Sequence, residues 1–242
     1  MPETVHYGDH ASQYVEAWLP DGAPVGVAVL VHGGWWRGRF DLHLMDALCA
    51  DLSTRGWIAW NLEFRRTEGA DGGWPVTLQD VVSGIAALDR CPVPVGGLPV
   101  FGVGHSAGGH LAVLAATERM LPAVVALAPV TDLSRCASEQ LGEDGVLAFI
   151  GSGEPEDPQL RDASPLYRLP IGRPQLVVHG DADDRVPIAH SRDYTAAALA
   201  AGDPVEFLDL PGADHFVVID PEHASWQRVC QWARANASPP PS

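Results

Sequence analysis

A serine lies between two glycines where an apolar run gives way to a run rich in alanine and leucine. The first run, residues 98–103, predicts a buried strand, and the second, residues 107–118, predicts a helix. Between them Gly104 and Gly108 flank Ser106 in the pattern Gly-x-Ser-x-Gly. A nucleophile at the tip of so sharp a turn needs unusual backbone angles and neighbours without bulk. The stretch therefore predicts that the Ser106 hydroxyl is a nucleophile.

A serine hydroxyl attacks well only when a base removes its proton, so a histidine and an acid must accompany it. His215 follows a predicted strand and a tight Pro-Gly turn, whereas His223 falls near the start of the last predicted helix. A loop adapts to a neighbour more readily than a helix start does, which favours His215 as the base. The acid must come from one of three neighbouring carboxylates, among which the residues alone do not decide: Asp181, Asp183 and Asp184.

Predicted strands alternate with predicted helices from residue 25 to the end of the chain. This order predicts an α/β fold with a mostly parallel central sheet and helices on both faces, over one domain of residues 1–242. The serine, histidine and aspartate motifs all follow strands, where the carboxyl ends of a parallel sheet collect chemistry. Residues 129–170 interrupt the alternation and predict a lid, and residues 236–242 predict a disordered tail.

Composition excludes several kinds of partner. Apolar residues make up 46% of the 242 residues, enough for a sizeable core, and the formal charge of −16 argues against nucleic acid and anionic membranes. The four cysteines are scattered, and the first residues lack the features of a signal peptide, so we expect a cytoplasmic protein without disulfides. We expect no metal site and no cofactor. The oligomeric state stays open, with a homodimer as one option.

Four motifs in this order carry a resemblance to a known family. They are His32-Gly33-Gly34-Trp35-Trp36, the segment 104–111 around Ser106, His179-Gly180-x-x-Asp183-x-x-Val186-Pro187, and Gly212-x-x-His215-Phe216. Over essentially its whole length the chain resembles α/β-hydrolases with an H-G-G-x-W loop. These include kynurenine formamidase-like enzymes, feruloyl and acetyl-xylan esterase-like enzymes, and the catalytic domain of prolyl oligopeptidases.

The resemblance implies roles for particular residues. Ser106 would be the nucleophile, His215 the base and Asp183 the acid, in the chain order expected for that fold. The backbone N–H of Ala107 and that of Gly34 or Trp35 would bind the oxyanion. Trp35 stands where related lipases and esterases carry a third glycine, so the choice between these two donors stays open.

The expected activity is hydrolysis of small carboxylic esters through an acyl-enzyme, with activated amides such as aryl formamides as a second substrate class. Trp36 and His105 are the predicted substrate-binding residues, because one follows the oxyanion loop and the other adjoins Ser106. His32 and His179 are expected to brace loops by hydrogen bonds. Two alternatives remain: a peptidase of the prolyl oligopeptidase or acylaminoacyl type, and a non-catalytic scaffold that binds a small molecule.

Overall fold

Eight strands form one sheet in the part of the chain that the computed structural model describes, which is residues 2–67, 69, 71–151 and 157–240. The sheet order is β1-β2-β4-β3-β5-β6-β7-β8. The strands are β1 (Glu3–His6), β2 (Tyr14–Trp18), β3 (Gly26–Val31), β4 (Trp57–Leu62), β5 (Val100–His105), β6 (Val124–Leu127), β7 (Gln175–Gly180) and β8 (Val205–Leu210). Strands β3 to β8 run parallel to one another. At one edge, β2 pairs antiparallel with β4, and β1 pairs antiparallel with β2.

Helices cover both faces of the sheet, as the alternation predicts. The helices are α1 (Asp46–Thr54), α2 (Val76–Ala86), α3 (Ala107–Thr117), α4 (Leu133–Ser138), α5 (Gly145–Ile150), α6 (Pro158–Asp162), α7 (Ala189–Ala200) and α8 (Ala224–Asn236). Alternate side chains of β3 enter different cores. Val27 and Val29 pack in the core beneath α2, α3 and α7, whereas Ala28 and Leu30 pack in the core beneath α1 and α8.

The segment predicted as a lid contains α4, α5 and α6. Phe149 of α5 stacks on Trp36 with ring centroids 4.2 Å apart, and the Phe149 carbonyl accepts a hydrogen bond from the Trp74 N–H at 2.7 Å. These contacts fix α5 against the loop that follows β3. Residues 152–156 of the segment lie outside the described residues.

The predicted tail begins with residues that contact the sheet. Asn236 is the last residue of α8, and the Ser238 carbonyl accepts a hydrogen bond from the Val100 N–H at 2.9 Å, forming a bridge to β5. Residues 236–238 are therefore held in place. Residues 241 and 242 lie outside the described part of the chain.

Helix α3 approaches the end of β3 so closely that position 108 has no room for a side chain. A Cβ atom on Gly108 would lie 2.0 Å from the Val31 carbonyl oxygen and 2.4 Å from the His32 carbonyl oxygen. Because both obstacles are backbone atoms, neither can move aside cheaply. The glycine therefore sets the distance between the helix and the loop after β3.

Replacing Gly108 with alanine should destabilise the protein although alanine is the better helix former by about 1 kcal/mol. We expect the clash to dominate and to lower the free energy of unfolding by about 2 kcal/mol or more. Urea unfolding followed by circular dichroism measures the change. The matched control is Gly22→Ala, since a Cβ atom there meets nothing within 4 Å. Equal stability of the two variants would show that the helix does not need this approach.

Candidate active site

Ser106 occupies a strained turn between β5 and α3. Its φ of 55° and ψ of −118° lie outside the regions that a serine normally adopts. The Ser106 N–H donates to the Leu127 carbonyl at 2.8 Å, and the Ser106 carbonyl accepts from the His110 N–H at 3.1 Å. Hydrogen bonds on both sides thus hold the residue in this conformation at the N-terminus of a buried helix.

His215 and Asp183 are brought together from two loops at the carboxyl ends of β8 and β7. The His215 Nδ1 atom lies 2.6 Å from the Asp183 Oδ2 atom. The other carboxylate oxygen, Oδ1, accepts hydrogen bonds from the N–H groups of Arg185 at 2.8 Å and Val186 at 2.9 Å. Because a carboxylate only accepts, the proton of neutral His215 sits on Nδ1, and Nε2 keeps a free lone pair.

The competing residues have other environments. Asp181 accepts a hydrogen bond from the Gly212 N–H at 2.6 Å, and Asp184 is an exposed side chain in an ion pair with Arg185. His223 caps the N-terminus of α8, where its Nδ1 atom accepts from the Ser225 N–H. Of these candidates, Asp183 is the carboxylate in contact with His215.

A second histidine also contacts the buried carboxylate of Asp183. The His179 Nε2 atom lies 3.0 Å from Asp183 Oδ2 and 2.9 Å from the Val186 carbonyl oxygen, and its Nδ1 atom lies 2.7 Å from the Ser191 hydroxyl. Burial alone would raise the pKa of Asp183, but hydrogen bonds from His179 and His215 outweigh it and hold the pKa well below its usual value. The carboxylate is therefore ionised at neutral pH.

His105, predicted to bind substrate, supports the His215 loop. Its Nε2 atom donates to the His215 carbonyl oxygen at 3.0 Å, and its ring centroid lies 4.7 Å from that of His215. Burial and then the neighbouring His215 lower the pKa of His105 to about 3, so the ring is neutral in the working pH range. His105 also lines the cavity described below, although it is only 1% exposed.

The loop after β3 lies directly against the serine. A Cβ atom on Gly33 would lie 3.1 Å from the Ser106 Cβ, and Gly34, Trp35 and Trp36 all have positive φ values, between 53° and 116°. This loop therefore presents backbone to the serine at close range. On the other side, the Ala107 N–H opens α3 and has no acceptor within the helix.

His32 and Glu63 brace this loop from below. The His32 Nδ1 atom donates to the Gly33 carbonyl at 2.8 Å, and the Nε2 atom lies 3.1 Å from the Glu63 carboxylate. Glu63 also accepts from the Phe64 N–H at 2.8 Å and the Leu42 N–H at 3.2 Å. Burial works to raise the pKa of Glu63, but His32, the Phe64 N–H and Arg66 together outweigh burial and hold the pKa below its usual value. The expected bracing by His32 is thus present.

A cavity of about 550 Å³ opens above Ser106 and His215. The described residues that line it are Gly34, Trp35, Arg37, Arg39, Phe40, Leu44, His105, Ser106, Gln140, Leu141, Gly142, Glu143, Asp184, Arg185, His215 and Phe216. The lid contributes the turn 140–143. Motif analysis missed these lid residues, since nothing in their sequence relates them to the serine; Phe216 could have been found from its place beside His215.

The prediction that Trp36 lines the substrate pocket is wrong. Trp36 is 1% exposed and lies between Phe149 and His110, whose ring centroid is 5.1 Å away. The positive φ values at Trp35 and Trp36 turn the chain so that the second indole enters the core. Trp35 lines the cavity instead, packed against Gly142 of the lid.

Among the described residues, one group of three side chains could ligate a metal, and none of the three lines the cavity. Single ligand atoms of Glu16, His43 and Asp46 lie within 4.8 Å of one another. His43 and Asp46 already form an ion pair at 3.1 Å at the surface. Exposed acidic groups of this kind are common without an ion.

Comparison with known proteins places the chain in a family. Residues 74–237 match the model of the prolyl oligopeptidase family, which is more than half of the chain. The chain belongs to the prolyl oligopeptidase family. It is 30% identical to Esterase LipQ of Mycobacterium tuberculosis over 81% of this chain and 52% of that protein, so it spans about half of LipQ's length. It is 29% identical to a monoacylglycerol lipase of Mycolicibacterium smegmatis over 86% of this chain and 87% of the lipase.

Solved structures establish the fold. A truncated form of a carbohydrate esterase from gut microbiota superposes with a TM-score of 0.83 at 19% identity, covering 96% of this chain and 94% of the truncated chain. A thermophilic esterase of Thermogutta terrifontis superposes with a TM-score of 0.75 at 22% identity, covering 97% and 90%. The fold of this family member is the α/β-hydrolase fold, as the sequence motifs predict.

Replacing Asp183 with asparagine should lower stability in a pH-dependent way. The pKa of Asp183 is lower in the folded chain than its usual value of 3.8, so the carboxylate stabilises the fold above that pH. The contribution disappears as the pH falls further toward the folded pKa. We expect a deficit of about 2 kcal/mol at pH 7 that narrows below pH ~4. Urea unfolding between pH 7 and 3 measures it.

The control for this series is Asp184→Asn, since the Asp184 side chain is exposed. Its stability should follow that of the wild type at every pH. A deficit of Asp183→Asn that stays constant from pH 7 to 3 would contradict the assigned charge state.

Proposed function

We propose that this protein is a serine hydrolase that cleaves small carboxylic esters through an acyl-enzyme. The observation that carries the proposal is the 2.6 Å contact between Asp183 and His215 Nδ1, in one cavity with the strained Ser106. This contact leaves His215 Nε2 as the acceptor for a serine proton.

The proposed reaction proceeds in two acyl transfers. Ser106 Oγ attacks the ester carbonyl carbon while His215 Nε2 takes the hydroxyl proton. The tetrahedral intermediate then collapses, the C–O bond to the alcohol breaks, and the alcohol leaves with the proton from His215. Water attacks the acyl-enzyme in the same way, and the carboxylic acid and free Ser106 result. Asp183 stabilises the imidazolium that forms in each half-reaction.

The oxyanion of each intermediate would be bound by backbone N–H groups. Ala107 supplies one donor at the N-terminus of α3, where the helix dipole also favours negative charge. Gly34 or Trp35 supplies the second, because both line the cavity in the loop that packs against Ser106. The His32–Glu63 pair holds this loop before substrate binds, which is what electrostatic preorganisation requires.

The ligands bound to one structural neighbour support short acyl groups. Structures of the Thermogutta terrifontis esterase include propionate-bound and butyrate-bound forms, and other neighbours are esterases of carbohydrates. A cavity of about 550 Å³ with a turn of the lid as one wall accommodates an ester of this size. We propose small esters as the main substrates and activated amides as the second class.

Peptide hydrolysis is a second candidate because of the family match and one relative. The chain is 34% identical to a probable dipeptidyl-peptidase 5 of Aspergillus niger, over 31% of this chain and 11% of that protein. The same serine chemistry would serve both reactions. A panel of acyl esters beside aminoacyl and dipeptidyl anilides separates them, since kcat/KM values that favour the anilides would select the peptidase.

A fluorophosphonate probe should label the protein once, on Ser106. The probe reacts only with a serine whose proton an assembled base can remove, so Ser106→Ala should give no adduct in intact-mass spectra. We expect His215→Asn to slow labelling by about a thousandfold or more.

The matched control is His223→Asn, which changes a histidine at the start of α8 and should label at the wild-type rate. Labelling of folded Ser106→Ala, or no labelling of folded wild type, would overturn the catalytic assignment. The non-catalytic scaffold would then be the better interpretation.

A further inference from the structure

The wall of the cavity carries an excess of positive charge in a strongly acidic chain. Among the described lining residues, three are arginines and two are carboxylates, apart from the histidines. The carboxylates already have partners: Glu143 lies 3.6 Å from Arg37, and Asp184 lies 3.2 Å from Arg185. The remaining cation, Arg39, belongs to a chain whose net charge is −16.

Arg39 is an exposed residue that follows the loop beside the serine and lines the cavity. Among the described residues, no carboxylate oxygen lies within 4.0 Å of its guanidinium group, which instead stands 5.6 Å from the ring centroid of Phe40. That ring packs on Gly34, where a Cβ atom would lie 3.0 Å from the Phe40 Cβ. The exposed Arg39 side chain therefore stands over the ring of Phe40, and that ring packs against the loop that faces Ser106.

We propose that the substrate carries a carboxylate and that Arg39 binds it. This inference rests on the proposed ester hydrolysis and names the substrate class for it. A guanidinium group recognises a carboxylate with two parallel hydrogen bonds, and the exposed Arg39 side chain is free to turn toward a ligand in the cavity. In the otherwise acidic chain, Arg39 offers an anion a local attraction in the cavity that Ser106 also lines.

The test compares two esters that differ only in charge. They are the p-nitrophenyl esters of butyric acid and of succinic acid, which end in a methyl group and a carboxylate. Arg39→Gln should lower kcat/KM for the succinate ester by about tenfold and change the butyrate ester by less than about twofold. The matched control is Arg228→Gln, an exposed arginine on α8 that does not line the cavity. It should change neither value.

A second pair of esters locates the carboxylate. Phenyl acetate and 4-carboxyphenyl acetate carry the charge difference on the leaving group, so a loss confined to one pair shows which side Arg39 binds. If Arg39→Gln lowers kcat/KM equally for the charged and the neutral ester of both pairs, the anion site is overturned. The proposed ester hydrolysis would still stand. A wild type that labels with the fluorophosphonate but cleaves none of these esters would overturn the proposed function itself, and the site with it.

Asp183, the proposed acid, contacts a second histidine besides His215. Two histidines share one oxygen of Asp183, since His215 Nδ1 and His179 Nε2 both contact Oδ2. The Val186 carbonyl fixes the proton of His179 on Nε2, because a carbonyl only accepts. In that tautomer the Ser191 hydroxyl donates to Nδ1 at 2.7 Å, so both ring nitrogens of the fully buried His179 are hydrogen-bonded.

The geometry points to His179 as a positioning residue that sets the basicity of His215 through Asp183. A donor on Oδ2 draws electron density from the carboxylate, so less remains to stabilise the imidazolium of His215. Among the described residues, the charged or titratable groups on neighbouring elements include His105 from β5, whose ring is neutral, and Asp209 from β8, which pairs with Arg192; Asp184 and Arg185 pair with each other. His179 is thus the buried neighbour able to exert this effect.

Replacement of His179 tests the assignment through the pH profile. In His179→Leu the donor is lost, and the acid limb of kcat/KM for p-nitrophenyl butyrate should move to higher pH by about one unit. His179→Gln places an amide donor near the former Nε2 position and should restore most of the wild-type profile. Ser191→Ala should shift the limb in the same direction as His179→Leu by a smaller amount.

A merely structural role for His179 predicts lower stability or kcat with an unchanged acid limb, and that result overturns the proposal. If His179→Leu does not fold, the pH profiles of His179→Gln and Ser191→Ala decide the question. The proposed tautomer is contradicted if the acid limb of kcat/KM is unchanged in Ser191→Ala but shifted in His179→Gln. The assignment of His179 would then fail as well.

Discussion

Backbone crowding at the turn from β5 into α3 is the constraint on which the site depends. Gly108 brings the helix against the carbonyls of Val31 and His32, and this approach places the loop after β3 beside Ser106. The serine itself has a φ of 55°, a strain that the surrounding hydrogen bonds offset. The nucleophile, the loop that faces it and the end of β3 therefore form one rigid unit.

Charges at the site are buried together with their hydrogen-bond partners. Asp183 receives two backbone N–H groups and two histidines, and Glu63 receives His32 and two further backbone N–H groups. Each carboxylate therefore stays ionised although burial favours the neutral form. One such carboxylate orients His215 and the other, through His32, holds the loop on the opposite side of the serine.

The predictable parts of the structure are those whose signal lies within one segment. The run 107–118 matches helix α3 to within one residue, and the motifs placed Asp183 and His215 in loops that do meet. Strand β1 was missed because only pairing with β2 makes its exposed residues a strand. The position of Trp36 could not be predicted because it depends on Phe149, more than a hundred residues away.

The stack of Trp36 on Phe149 separates the lid into two parts. Substitutions are constrained in the part that carries the stack and less constrained in the other. Helix α5 and the loop beside Ser106 share one aromatic contact, so a change in the helix disturbs the loop on which oxyanion binding would rely. The turn 140–143 reaches the cavity wall beyond this anchor and meets mainly Trp35 and Arg37. New acyl preferences are therefore most accessible through insertions and substitutions in this turn, while the aromatic anchor stays unchanged.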